Sequence, residues 1–133
     1  MMNSSNLLKV GVLALFVGLV GCERQIGFAD DVQPILLNSC IECHDQSAEG
    51  YATSGFSLRD YESVMKGTNF GQVVVPKSSI SSTLYLTITH KTDPQIQMPP
   101  HHEEALAEGR GTPLTDRQIE IIGDWIDQGA LNN

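Results

Sequence analysis

The sequence predicts a small all-α domain of about three to five helices, and three observations predict it. Toward the C-terminal end, Ile119, Ile122, Trp125 and Ile126 recur on one helical face; Thr115 with Gln118 forms a capping box ahead of them and Gly129 follows. Around residue 30, the acids Asp30 and Asp31 precede Pro34, Ile35, Leu36 and Leu37, a helix start with its proline in the first turn, where a missing N–H costs little. The β-branched run Val73-Val74-Val75 ends at Pro76, which suits a short extended piece and not a central strand.

The chain has 133 residues with 8 Lys+Arg against 16 Asp+Glu, a net charge of −8. That length allows one compact domain. The acidic balance lacks the positive face that attracts phosphate backbones, so nucleic-acid binding is not expected. Three cysteines cannot all pair, so they must be sorted before they are interpreted.

Residues 1–21 read as a signal peptide. Lys9 is the one charge before the apolar run Val10 to Val20, and the uncharged stretch is too short for the roughly 18–20 residues of a transmembrane helix. Leu19-Val20-Gly21-Cys22 resembles a bacterial lipobox, with cleavage before Cys22 and acylation of that residue; the alternative is an ordinary cleaved signal that leaves a cysteine at the junction. Several acyl chains anchor a protein stably. Residues 22–27 are then a lipidated cysteine and short tether, and 28–133 the domain. The expected location is outside the cytoplasm, facing the periplasm or cell surface. Glu23, where an inner-membrane retention signal would have Asp, favours the outer membrane.

The first helix, from Asp30 to Asn38, feeds into Cys40-Ile41-Glu42-Cys43-His44. C-x-x-C-H is the signature of covalent haem attachment: two thiols three residues apart on a helical turn add to the porphyrin vinyl groups, and the adjacent imidazole coordinates iron. A zinc site would need further ligands, and no second C-x-x-C or H-x₃₋₅-H pair is present. A thioredoxin-like pair would need a βαβ setting. A structural disulfide would leave the histidine unexplained. Cys22 for lipid and Cys40 with Cys43 for porphyrin account for all three cysteines without a disulfide.

Leu58 to Lys66 reads as a second helix, stopped by Gly67, and Ser81 to Ile88 as a third with Leu84, Tyr85 and Ile88 on its apolar face. The second axial ligand has five candidates: Met65, Met98, His90, His101 and His102. Met98 is favoured because Pro99 and Pro100 stiffen the strap that carries its thioether. Met65 suits core packing. His101 and His102, beside Glu103, Glu104 and Glu108, suit a solvated loop; either would give bis-histidine iron. In the last helix Trp125 is expected to pack against the first.

These motifs, taken with Phe28 to Leu36, Gly55-Phe56-Ser57-Leu58, Val74-Val75-Pro76, Ser82-Thr83-Leu84-Tyr85, Met98-Pro99-Pro100, Leu114-Thr115 and Trp125-Ile126, together resemble the planctomycete-type cytochrome c domain, a class I-like c-type cytochrome. The resemblance runs from Phe28 to Leu131. It implies one covalent haem c in an all-α class I-like cytochrome c fold, with Cys40 and Cys43 as thioether sites, His44 as proximal ligand and Met98 as distal ligand. Two departures stand out: Lys77 replaces the glycine usual after the Val-Pro step, and His101 to Gly111 lengthens the loop before the last helix.

The expected function is that of a membrane-anchored electron carrier rather than an enzyme, working alone or as a subunit of an oxidoreductase complex. Phe28, Ile35, Leu36, Phe56, Leu84 and Trp125 are the candidate apolar pocket. Loss of residues 1–21 removes Lys9 and moves the net charge to −9, which favours redox partners with basic patches. Two other classes fit less well: a haem enzyme or sensor with a displaceable distal ligand, and a non-haem metal-binding lipoprotein.

Overall fold

Asp31 starts the fold by folding back on the chain. Its Oδ2 accepts the Gly27 N–H at 2.8 Å, and a π-helical turn over Phe28–Val32 runs on into α1, Gln33–Ser39, with Pro34 in the first turn. Arg24 pairs with the same carboxylate at 2.8 Å. The computed structural model describes residues 24–100, 103–108 and 112–133. The expected signal peptide 1–21, Cys22 and the alternative ligands His101 and His102 lie outside the described residues.

The remaining elements are α2 (Ile41–His44), α3 (Glu49–Ser54), α4 (Tyr61–Lys66), a 3₁₀ turn (Ser79–Ser81), α5 (Thr83–Ile88), a second 3₁₀ turn (Pro94–Ile96), α6 (Glu103–Ala107) and α7 (Asp116–Asp127). The fold is all-α as expected, and no strand occurs among the described residues. Helical segments are shorter than the sequence suggests because specific residues interrupt them. Cys40, at φ −128°, breaks α1 from α2. Leu58, Arg59 and Asp60 precede α4 rather than open it: Asp60 caps the helix by accepting the Ser63 N–H at 2.8 Å. Likewise Ser82 precedes α5, and its fully buried hydroxyl donates to the Ser78 carbonyl and accepts from the Val75 N–H.

Two elements go beyond what the sequence predicts. The six-residue α3 packs on the C-x-x-C-H turn, and α6 occupies part of the stretch read as a solvated loop. The Glu103 start of α6 and its Ala and Leu residues favour helix intrinsically. Val73–Val75 belongs to no helix or strand and bends at Val73, with Val73 and Val74 buried and the Val73 carbonyl accepting the Leu84 N–H at 3.0 Å.

The longest helix among the described residues, α7, carries the expected capping box, and Ile122, Gly123, Trp125 and Ile126 form its buried face. Trp125, wholly buried, meets Phe28 at 5.4 Å and Tyr61 at 6.4 Å between ring centroids, and Phe28 meets Tyr61 edge-on at 5.3 Å. Trp125 thus packs against the turn that leads into α1. Both polar ends of this cluster are satisfied, Trp125 Nε1 by the Leu131 carbonyl and the Tyr61 hydroxyl by that of Ala130, each at 2.9 Å. One apolar core joins these residues to Val32, Leu36, Val64, Val74, Leu84 and Ile88.

Lys77 has φ 69°, in the left-handed region where a Cβ is strained. Its N–H donates to the Ile126 carbonyl at 2.7 Å, which ties the turn to α7. The glycine usual at this position in the resembled family has a physical reason here, and this chain carries the strain with a lysine. Among the described residues no helix is long and apolar enough to cross a membrane.

Candidate functional site

Cys40, Cys43 and His44 share one helical turn because the chain bends at Cys40, whose N–H still donates to the Leu36 carbonyl and whose own carbonyl accepts from Cys43 and His44. The turn places both thiols and the imidazole in half-buried positions. Both cysteines are free. Burial, with Cys43 adding to it, pushes the Cys40 thiol up to about 11. Such a position disfavours the charged thiolate and suits a neutral sulfur, which is what a thioether is.

His44 is held from two sides. Its Nδ1 lies 3.2 Å from the Phe56 carbonyl. A carbonyl can only accept, so the ring proton belongs on Nδ1 and the lone pair on Nε2. Burial lowers the imidazole below its usual range, partly opposed by this hydrogen bond. The ring is therefore kept neutral with Nε2 free to bind a metal. The Phe56 ring stands edge-on to the imidazole at 5.7 Å, and the His44 carbonyl accepts the Leu58 N–H at 3.1 Å.

Behind the turn stands Gly50 in α3. A Cβ there would lie 2.5 Å from the Cys43 carbonyl oxygen and 3.2 Å from His44 Cε1, so only glycine lets α3 approach this closely. At the end of α3, Gly55 takes φ 69° and turns the chain back so that Phe56 faces His44.

Met98 arrives from the other side of the sequence. It is half-buried against the same apolar core that Cys40 touches, and its N–H donates to the Thr87 carbonyl of α5 at 3.2 Å. The Met98–Pro99 peptide bond is cis. Gln97 fastens the preceding loop by donating to the Thr92 carbonyl at 2.8 Å and that of His90 at 3.2 Å. His90 itself is exposed at the end of α5, and Met65 packs against the core as expected.

The residues fit a covalently held haem on three observations: two unpaired thiols with one kept neutral, an imidazole whose tautomer frees Nε2, and Thr92 Oγ1. That hydroxyl, in the loop leading to Met98, is buried without a hydrogen-bond partner among the described residues, the kind of donor that a bound group satisfies. No three His, Cys, Asp or Glu side chains converge as a metal-holding cluster among the described residues. All six candidate pocket residues are buried in the one core; of these, Phe56 stands against His44, while Phe28 and Trp125 meet with their rings tilted by 48°.

Motif reading misses the groups that orient the site. The Phe56 carbonyl is backbone and leaves no side-chain signature. The close approach at Gly50 depends on which segments meet, and spacing along the chain does not reveal that. The Gly55-Phe56-Ser57-Leu58 match is the one sequence signal that points to this segment.

Residues 40–102 match the family model described as Planctomycete cytochrome C. That span includes the C-x-x-C-H turn and Met98, and excludes α1 and α7. No curated protein and no solved structure matches the chain.

Proposed function

We infer, from the premise that the chain carries a Planctomycete cytochrome C domain over residues 40–102, that it is a c-type cytochrome which carries single electrons and is not itself a catalyst. When bound, haem c supplies a one-electron Fe(III)/Fe(II) couple. The Cys40 and Cys43 thiols would hold it by adding S–H across its two vinyl groups, a step with no leaving group. His44 Nε2 and Met98 Sδ would be the protein's two donors to its iron. One haem per chain is proposed, since one C-x-x-C-H occurs in the sequence.

The observation that carries this reading is His44 itself: an imidazole in the attachment motif, kept neutral by burial, with Nδ1 committed to the Phe56 carbonyl. Met98 as partner is supported by its anchorage to α5 and its place against the core. A thioether is a soft, neutral donor that favours Fe(II), so His/Met ligation sets a higher potential than two imidazoles would. Phe56, buried against the His44 ring, covers one side of the imidazole with apolar surface.

Export and anchoring through Cys22 to a membrane facing the periplasm or cell surface complete the proposal, supported by the run Val10 to Val20 and by Leu19-Val20-Gly21-Cys22. Redox partners with basic patches are proposed from the net −9 of the processed chain.

The ligand assignment is tested by near-infrared absorption of the oxidised protein. Wild type is expected to show the weak Fe(III)–Met charge-transfer band, and Met98→Ala to lose it. A wild type without that band that binds carbon monoxide readily when reduced would move the protein to the haem enzymes or sensors. A wild type without the band that resists carbon monoxide would give the distal position to a histidine, His101 or His102.

A further inference from the structure

Asp45 and Arg59 form an ion pair that none of the chemistry above uses. The chain leaves His44, passes through α3 and returns as the segment 56–59, which is fastened to residues 44–45 at successive levels. The Phe56 carbonyl accepts from His44 Nδ1 at 3.2 Å, and the Leu58 N–H donates to the His44 carbonyl at 3.1 Å. One residue further on each side, the Arg59 guanidinium grips the Asp45 carboxylate with two donors, Nε at 3.1 Å and Nη2 on the second oxygen. The far side of the segment is tied to α1, where Gln33 Nε2 donates to the Arg59 carbonyl at 3.0 Å. Of the bonds that close residues 44–45 onto 56–59, the fork is the one made by side chains at both ends.

We propose that Arg59 and Asp45 are positioning residues for His44: their two-donor fork holds segment 56–59 where the Phe56 carbonyl stays on Nδ1–H, and so sets how strongly Nε2 donates to haem iron. The proposal rests on the reading of His44 as proximal ligand. The pair is solvent-exposed, with side-chain accessibilities of 56% for Arg59 and 28% for Asp45, and an exposed pair contributes little to stability. What a fork adds is geometry. A guanidinium matches a carboxylate in one plane, whereas an ammonium binds as a point charge in no fixed orientation. A hydrogen bond from Nδ1–H to a carbonyl raises imidazole basicity, which stabilises Fe(III), so loosening it raises the potential.

The test compares full-length, membrane-extracted wild-type holoprotein with Arg59→Lys, Arg59→Ala and Asp45→Asn. Two readouts are taken: midpoint potential, and the solvent-exchange rate of the His44 Nδ1 proton by NMR. All three variants are expected to shift to higher potential and to exchange that proton faster. The shift should stay within about a fivefold change of the Fe(III)/Fe(II) equilibrium constant, because an exposed pair can transmit no more than its own worth. A pure charge effect gives a different pattern: Arg59→Ala lowers the potential, Asp45→Asn raises it, and Arg59→Lys leaves it unchanged. That pattern, or Arg59→Lys with wild-type potential and exchange, overturns the proposal while leaving the haem reading intact. Absence of covalent haem from the wild type overturns both.

Discussion

Gly50 is the residue at which local and tertiary preferences oppose each other most directly. Alanine would favour α3 by about 1 kcal/mol on intrinsic helix preference. Its Cβ, however, would meet the Cys43 carbonyl at 2.5 Å, and that is backbone which cannot rotate away. Overpacking of this kind costs about 1–3 kcal/mol, so Gly50→Ala is expected to lower stability by about 1 kcal/mol and to perturb His44. Chemical denaturation of the protein reads this; a stabilised variant would mean that α3 does not press on the C-x-x-C-H turn. Lys77 gives the opposite sign. Glycine at φ 69° relieves the side-chain strain and costs unfolded-state entropy, for a net gain of about 0.5 kcal/mol in Lys77→Gly. A thermal unfolding midpoint no higher than wild type would show that the turn holds no strain.

At the scale of elements, Asp60 illustrates how a helix start is legible only in part. The sequence places apolar Leu58 ahead of Tyr61 and Val64, which reads as one helical run from 58. Asp60 instead accepts the Ser63 N–H, so the helix begins after it and Leu58 is freed to pack in the core and bond His44. Asp60→Ala should cost about 1 kcal/mol, and Asp60→Asn less, since asparagine also caps. The hydrogen bonds from Ser63 hold the Asp60 carboxyl below its ordinary value of 3.8. A lowered folded-state value means that this stabilisation is fully present above pH 3.8 and is lost as pH falls through the folded value. Acid unfolding curves of wild type and Asp60→Ala should therefore converge below that pH; curves that stay parallel would contradict the cap. The helix α7 is readable because its box, apolar face and glycine stop all agree. By contrast α3 and α6 are not, because each has one turn or little more and no apolar periodicity to announce it. The stability of α3 comes from what it touches, as with Gly50 on Cys43.

Across the whole molecule, the chemistry is more legible than the geometry that supports it. C-x-x-C-H identifies thiols and imidazole by type and spacing, whereas the Phe56 carbonyl, the loop fastening by Gln97 and the Arg59 fork arise from segments brought together by folding. The proposed acidic surface also acts at this scale. With a cationic redox partner, the second-order rate of electron exchange should fall as ionic strength rises from about 0.01 to about 0.15 M, over which the screening length drops from about 30 to about 8 Å. A flat or rising rate in stopped-flow mixing would remove the case for basic partners. Most direct of all is a haem-stained denaturing gel of the protein matured in a host competent for cytochrome c assembly, run beside Cys40→Ala/Cys43→Ala. Covalent attachment predicts a stained band for wild type and none for the double variant; an unstained wild type would contradict the account at its centre.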